Sequence, residues 1–160
     1  MKSQFLKQIN NNPFIKSANS VKIKSEDVIV SKRISYINCE DAIFHHIELM
    51  KSFNETRCGL NSRAMLESAL ARPRNAAVYE NADIIRQTAT LYFGLVKNRI
   101  WRGGNKRTAT ILIKQFLAPN GYQPTWTLED VMELGQKVDK DVWKVNEIEN
   151  WLRSKVEKII

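Results

Sequence analysis

Four cations crowd one short run: Arg99 and Arg102 precede Gly103 and Gly104, and Lys106 and Arg107 follow Asn105, just before Thr108. The paired glycines predict a turn, and Asn105-Lys106-Arg107 predicts the opening of a helix. Cations are misplaced there. The free amides of a helix N-terminus already carry partial positive charge, so a cation in the first turn costs about 0.3–1 kcal/mol where an anion would be favoured. Glycines let a backbone approach a ligand closely, Asn105 is a capping residue type, and exposed first-turn amides bind anions. The run therefore predicts a phosphate cradle built from Gly103, Gly104, Asn105, Lys106, Arg107 and Thr108. A Walker loop does not fit, because that motif needs Gly-Lys-Ser/Thr in direct succession after a strand. The plain alternative is a turn between two helices with solvated cations, which leaves the placement of Lys106 and Arg107 without a reason.

The elements that must hold this run read as helices. Residues 1–37 form an arm: polar and Asn-rich to Ser20, broken by Pro13, with an apolar patch at Phe14 and Ile15. The β-branched residues from Val21 to Ile37 predict a short strand or hairpin. Residues 38–160 carry helical periodicity throughout. Asn38 with Asp41 is a capping signal, followed by Ala42, Ile43, His46, Ile47 and Met50 on one face, ending near Phe53. A second helix has Met65, Leu66, Ala69 and Leu70 on one side and is expected to stop at Pro73. A third, after Asn81, presents Ile84, Ile85, Thr88, Leu91, Tyr92 and Leu95 and runs into the cationic turn. The helix after that turn buries Ala109, Leu112, Ile113, Phe116 and Leu117 and stops at Pro119-Asn120-Gly121. Thr127 with Asp130 opens another, with Leu128, Val131, Met132 and Leu134 inward. Asn146 opens the last, with Ile148, Trp151, Leu152 and Val156 inward. Helices joined by short loops predict an all-α domain.

At 160 residues the chain is long enough for one core. Its formal charge of +8 and pI near 9.6 suggest an acidic counterpart: a nucleotide, nucleic acid or an acidic protein. Lysines that merely solvate helix faces are the bland alternative. Cys39 and Cys58 stand alone, without metal-ligand spacing, which points to reduced thiols and no structural zinc. No apolar stretch reads as a signal core or a membrane span, so a soluble, cytoplasmic protein without a membrane partner is expected.

The cationic run resembles the core motif of Fic/Doc proteins, and in particular the death-on-curing (Doc) branch. That motif reads His, an apolar residue, Phe, any residue, Asp or Asn, Gly or Ala, Asn, Lys, Arg, commonly followed by Thr-Ala. The corresponding residues here run from Arg99 through Ile100, Trp101, Arg102, Gly103, Gly104, Asn105, Lys106, Arg107 and Thr108 to Ala109. The flanks agree: Leu66 to Pro73 looks like the family's upstream segment, Asn120-Gly121-Tyr122 like its post-motif helix end, and His46 falls where its first helix often carries a His. The resemblance implies a Fic/Doc-like helical bundle. It also implies a toxin of a toxin–antitoxin module, resembling a phosphotransferase that uses ATP with Mg²⁺ to modify a protein hydroxyl. Its partners would be a nucleotide, an antitoxin protein and a translation-factor target. Lys106 stands where AMP-transferring relatives usually have Gly, which implies phosphoryl rather than AMP transfer.

Two departures alter that expectation. The family's leading His is the base that activates the hydroxyl, and its acidic residue helps to hold Mg²⁺; this chain has Arg99 and Gly103 there. Arginine stays protonated and has no lone pair for a proton, so the position of the catalytic His cannot act as a base. Gly103 has no carboxylate for a metal, which puts the Mg²⁺ site in doubt. Of the catalytic positions Arg99, Asn105, Lys106 and Arg107, the phosphate-binding half persists, with Arg99 as a further anion-binding fork. A catalytically impaired form that still binds nucleotide is one reading. A non-catalytic interaction or regulatory protein, using the basic cleft for a partner protein or nucleic acid, is the other. Since one base change separates a His codon from an Arg codon, a natural pseudoenzyme and an inactivated variant are both open. His46 reads as a satisfied core histidine and His45 as a surface one, and Trp101 as a packed replacement for the motif Phe. Arg72 and Arg74 either rim the cleft beside His46 or are solvated.

Overall fold

Six α-helices and one two-stranded sheet build the part of the chain that a computed structural model describes, residues 33–159. Helix α1 (Cys39–Ser52) starts where the Asn38 side chain accepts from the Asp41 amide at 2.8 Å, and it buries Ala42, His46 and Met50 along one stripe. Helix α2 spans Arg63–Glu80. It does not stop at Pro73: a proline inside a helix forfeits one hydrogen bond and costs about 3 kcal/mol, yet Leu66, Ala69, Pro73 and Ala76 form one buried stripe that continues on both sides of the ring. Packing of that stripe outweighs the local penalty. Met65, expected inward, is exposed. Asn81 ends the helix in the left-handed conformation, φ +52°.

Helix α3 (Ile84–Lys97) is the axis of the core, packed by α2, α4 (Asn105–Leu117), α5 (Leu128–Asp139) and α6 (Val145–Lys155). It buries Ile85, Leu91, Tyr92 and Leu95 together with the polar Gln87, Thr88 and Thr90. Those polar groups are satisfied locally: Thr88 donates to the Ile84 carbonyl, Thr90 to the Gln87 carbonyl, and Gln87 to the Ala82 carbonyl while accepting from the Tyr36 hydroxyl. Helix α4 buries the expected Ala109, Leu112, Ile113, Phe116 and Leu117, and ends in a tight 3₁₀ turn (Ala118–Asn120) before Gly121 at φ +90°.

Helix α5 begins with the expected reciprocal cap between Thr127 and Asp130. Leu128 and Met132 are not inward; both are exposed, because their face of α5 lines a surface groove and Leu134, Gly135 and Val138 carry the buried side. Helix α6 starts one residue before Asn146, whose side chain accepts from Arg86 at 2.6 Å instead of capping. Val156, expected in that helix, opens strand β2 (Val156–Lys158), which pairs antiparallel with β1 (Tyr122–Pro124). The hairpin expected over residues 21–37 lies outside the described residues as far as residue 32, and residues 33–37 carry no strand. Among the described residues no helix is long and apolar enough to cross a membrane.

Candidate functional site

The cationic turn joins α3 to α4, and a loop from the end of α1 is laced onto it. Arg99 takes the left-handed conformation at φ +48°, and Ile100 and Trp101 then turn inward to full burial. Leu60 bridges Trp101, the Asn61 amide donates to the Ile100 carbonyl at 2.8 Å, and the Arg102 amide donates to the Gly59 carbonyl at 2.9 Å. The Asn61 side chain reaches the Trp101 carbonyl at 3.2 Å. Gly104 is the residue before α4, left-handed at φ +71°, and a Cβ on it would stand 2.6 Å from the Met50 sulfur, so both conformation and space demand glycine.

Asn105 does not cap α4. Its side-chain oxygen accepts from the Trp101 amide and its side-chain nitrogen donates to the Trp101 carbonyl, each at 3.0 Å. As the first residue of the helix it stands past the capping position, which Gly104 fills with no side chain to offer. No side-chain cap therefore covers the opening of α4.

His46 sits beneath this turn. Gly59 N–H donates to its Nε2 at 3.0 Å, which leaves the ring proton on Nδ1 for Thr108 Oγ1 at 2.8 Å. The ring stacks on Trp101 with centroids 4.1 Å apart. Burial, with the Arg107 charge nearby, depresses its pKa to about 4. It is a neutral clasp with both nitrogens engaged, and it is not free to accept a proton from a substrate. Thr108, expected among the phosphate ligands, is fully buried on this clasp.

The outward side of the same turn is polar. Arg99, Gly104, Asn105, Lys106 and Arg107 line a 330 Å³ cavity, closed on the far side by Asp139 of α5. Each cation of the helix opening also meets a carboxylate that the sequence did not reveal: Lys106 Nζ lies 3.5 Å from Asp139, and Arg107 lies 3.4 Å from Glu55 and 4.7 Å over the Phe53 ring. All four side chains are substantially exposed, so these are weak, displaceable pairs. Lys106 and Arg107 also edge a 370 Å³ apolar groove lined by Leu49 and Phe53 of the α1 side and by Leu128, Val131 and Met132 of α5. Arg72 and Arg74 line neither: Arg72 lies 5.5 Å over Phe93 and Arg74 4.6 Å over Tyr36.

The helical bundle thus brings a glycine turn, a helix opening without a side-chain cap and three cations to one cavity. The Fic/DOC family model matches residues 36–117, just over half of the chain, and the chain belongs to that family. No curated protein matches it at a significant level.

Within that family the acid at position 103 is what would help to hold Mg²⁺, and the residues present do not fit the metal. Gly103 has no carboxylate, and a Cβ added to it would stand 2.6 Å from the Arg57 carbonyl oxygen, so the loop after α1 fills the space where a side chain would project. Among the described residues no group of three or more His, Cys, Asp or Glu side chains is placed to hold a metal ion. Arg99 offers no lone pair for a proton, and both ring nitrogens of His46 are hydrogen-bonded.

Proposed function

We propose that this chain is a Doc-like, toxin-family protein of a toxin–antitoxin module that holds a nucleotide polyphosphate at the opening of α4 and is a natural pseudoenzyme for ATP-dependent phosphoryl transfer in the cytoplasm. One observation carries the reading: Arg99, Lys106 and Arg107 converge with Asn105 on one cavity at a helix start that no side chain caps. Three fixed positive charges suit a polyphosphate, and they replace the charge neutralisation that a divalent metal would otherwise supply. The fit of Gly103 against the Arg57 carbonyl favours a loss built into the fold over an accidental one.

Calorimetric titration with ATP, with and without Mg²⁺, tests it. Saturable binding is expected in both conditions, and Lys106→Ala or Arg107→Ala should weaken it by roughly tenfold or more, about 1.4 kcal/mol per decade. A parent protein that binds no ATP removes the reading. Arg99→His, with and without Gly103→Asp, then asks for growth arrest or ATP consumption; silence is expected from both, and activity in either would overturn a loss built into the fold.

The apolar groove beside the cations favours a second reading, in which the protein captures a partner without chemistry. Exposed Phe53, Leu128 and Met132 next to Lys106 and Arg107 suit an amphipathic helix with an acidic end, such as an antitoxin would present.

A further inference from the structure

We propose that Asp139 is a specificity-determining residue of the anion site, an internal competitor that holds Lys106 and discriminates against the more highly charged phosphate ligands. The inference rests on the phosphate-binding reading given above. Asp139 is the last residue of α5, where the partial negative charge of the terminal carbonyls disfavours a carboxylate. Lys106 lies in the first turn of α4, where the amides disfavour a cation. Each residue is misplaced on its own helix, and their pairing at 3.5 Å relieves both.

The packing guides the pair together. Gly135 leaves a channel on α5 in which the Lys106 stem lies; a Cβ there would come within 3.1 Å of Lys106 Cδ. The neighbouring cation does not neutralise Asp139, because Lys97 Nζ is paired with Asp141 at 2.6 Å and meets only the backbone carbonyl of Asp139, at 3.5 Å. The Asp139 carboxylate thus faces the cavity that Arg99, Lys106 and Arg107 line.

An entering phosphate competes with the Asp139 carboxylate for Lys106 and then sits beside it. The repulsion from that carboxylate grows with the charge of the ligand, so it holds back pyrophosphate and ADP more than single phosphate. One acidic side chain thereby narrows the advantage that three cations give to the more highly charged anions.

Titration of the full chain with inorganic phosphate, pyrophosphate and ADP decides it, comparing the parent with Asp139→Asn and Asp141→Asn. Both variants remove one negative charge, two residues apart, but only Asp139 lines the cavity. Asp139→Asn should tighten phosphate and pyrophosphate by roughly three- to tenfold at low salt, with the gain shrinking as salt screens it. The ratio of pyrophosphate to phosphate affinity should rise, because the more highly charged ligand gains more from losing the carboxylate, a change that a merely structural role would not produce. Asp141→Asn should stay within about twofold of the parent. Equal behaviour of the two variants, or weaker binding by Asp139→Asn, overturns the role of Asp139 while leaving the cradle standing. Failure of the parent and both variants to bind any of the three anions overturns the cradle and this inference together.

Discussion

The inner and outer faces of the α3–α4 turn follow opposite rules. On the inner face His46, Trp101 and Thr108 are fully buried, stacked or hydrogen-bonded at 2.8–3.0 Å, and Asn105 grips the Trp101 backbone in both directions. On the outer face Lys106 and Arg107 hold their carboxylates at 3.5 and 3.4 Å and stay open to solvent. The shape of the turn is fixed by buried stacking and hydrogen bonds, and the charges on its outer face are left adjustable. Stability and affinity should therefore be separable by side of the turn.

The strongest test of that division is Trp101. Trp101→Ala should lower unfolding free energy by about 3–5 kcal/mol, read by urea denaturation, because it empties a buried site under the turn. Trp101→Phe should cost far less, since the buried indole nitrogen has no hydrogen-bond partner and its removal offsets part of the lost volume. A similar loss for both would mean that the ring's size, rather than its unpartnered donor, governs the inner face.

Next comes pH. His46 titrates near 4 in the fold against an ordinary 6.5, so between those values the unfolded chain binds more protons than the folded one. Stability should be full above pH 6.5 and fall as the pH drops towards 4, by at most about 3 kcal/mol over the window. Urea titrations across that range should show the slope in the parent, and His46→Gln should flatten it.

Smaller effects belong to the outer face. Lys106→Ala should leave the urea midpoint nearly unchanged, within about 0.5 kcal/mol in stability, while costing roughly tenfold in ATP affinity. A large stability loss would merge the two faces into one structural unit. Smallest of all, Leu128→Ser in the apolar groove should leave pyrophosphate affinity within about twofold, because a neutral change there does not touch the polar cavity. Weaker binding of ADP but not of pyrophosphate by that variant would mean that the groove receives the base of the nucleotide.

Much of this arrangement was legible in local chemistry. Caps at Asn38 and Thr127, the buried stripe of α4 and the left-handed stop at Gly121 follow from residues within a few positions of one another. The expectation of anion chemistry for the run from Arg99 to Arg107 rests on residues just as close together. What local reasoning missed depends on partners brought together by the fold. Pro73 looked like a stop because its stripe partners on α3 are distant in sequence, and Leu128 and Met132 looked buried because periodicity marks a face without saying what covers it. Asn105 was assigned a cap when its geometry serves Trp101. Glu55 and Asp139 were passed over, being 52 residues from Arg107 in one case and a whole helix away from Lys106 in the other. Asp139 did leave a trace, an acid downstream of the helical stripe that Thr127 opens, and reversed charges on two helices are a cue to look for a pair.

The Arg57 carbonyl against Gly103 bears on the history of the protein. Restoring an imidazole at residue 99 needs one substitution, and the left-handed backbone there is one that His tolerates better than most residues. Restoring the acid is blocked until the neighbouring loop retreats, and the loop has no reason to retreat while glycine persists. On the pseudoenzyme reading proposed above, the order of events is thereby constrained: descent from an active ancestor acts as a ratchet, open to single steps at one position and closed to them at the other.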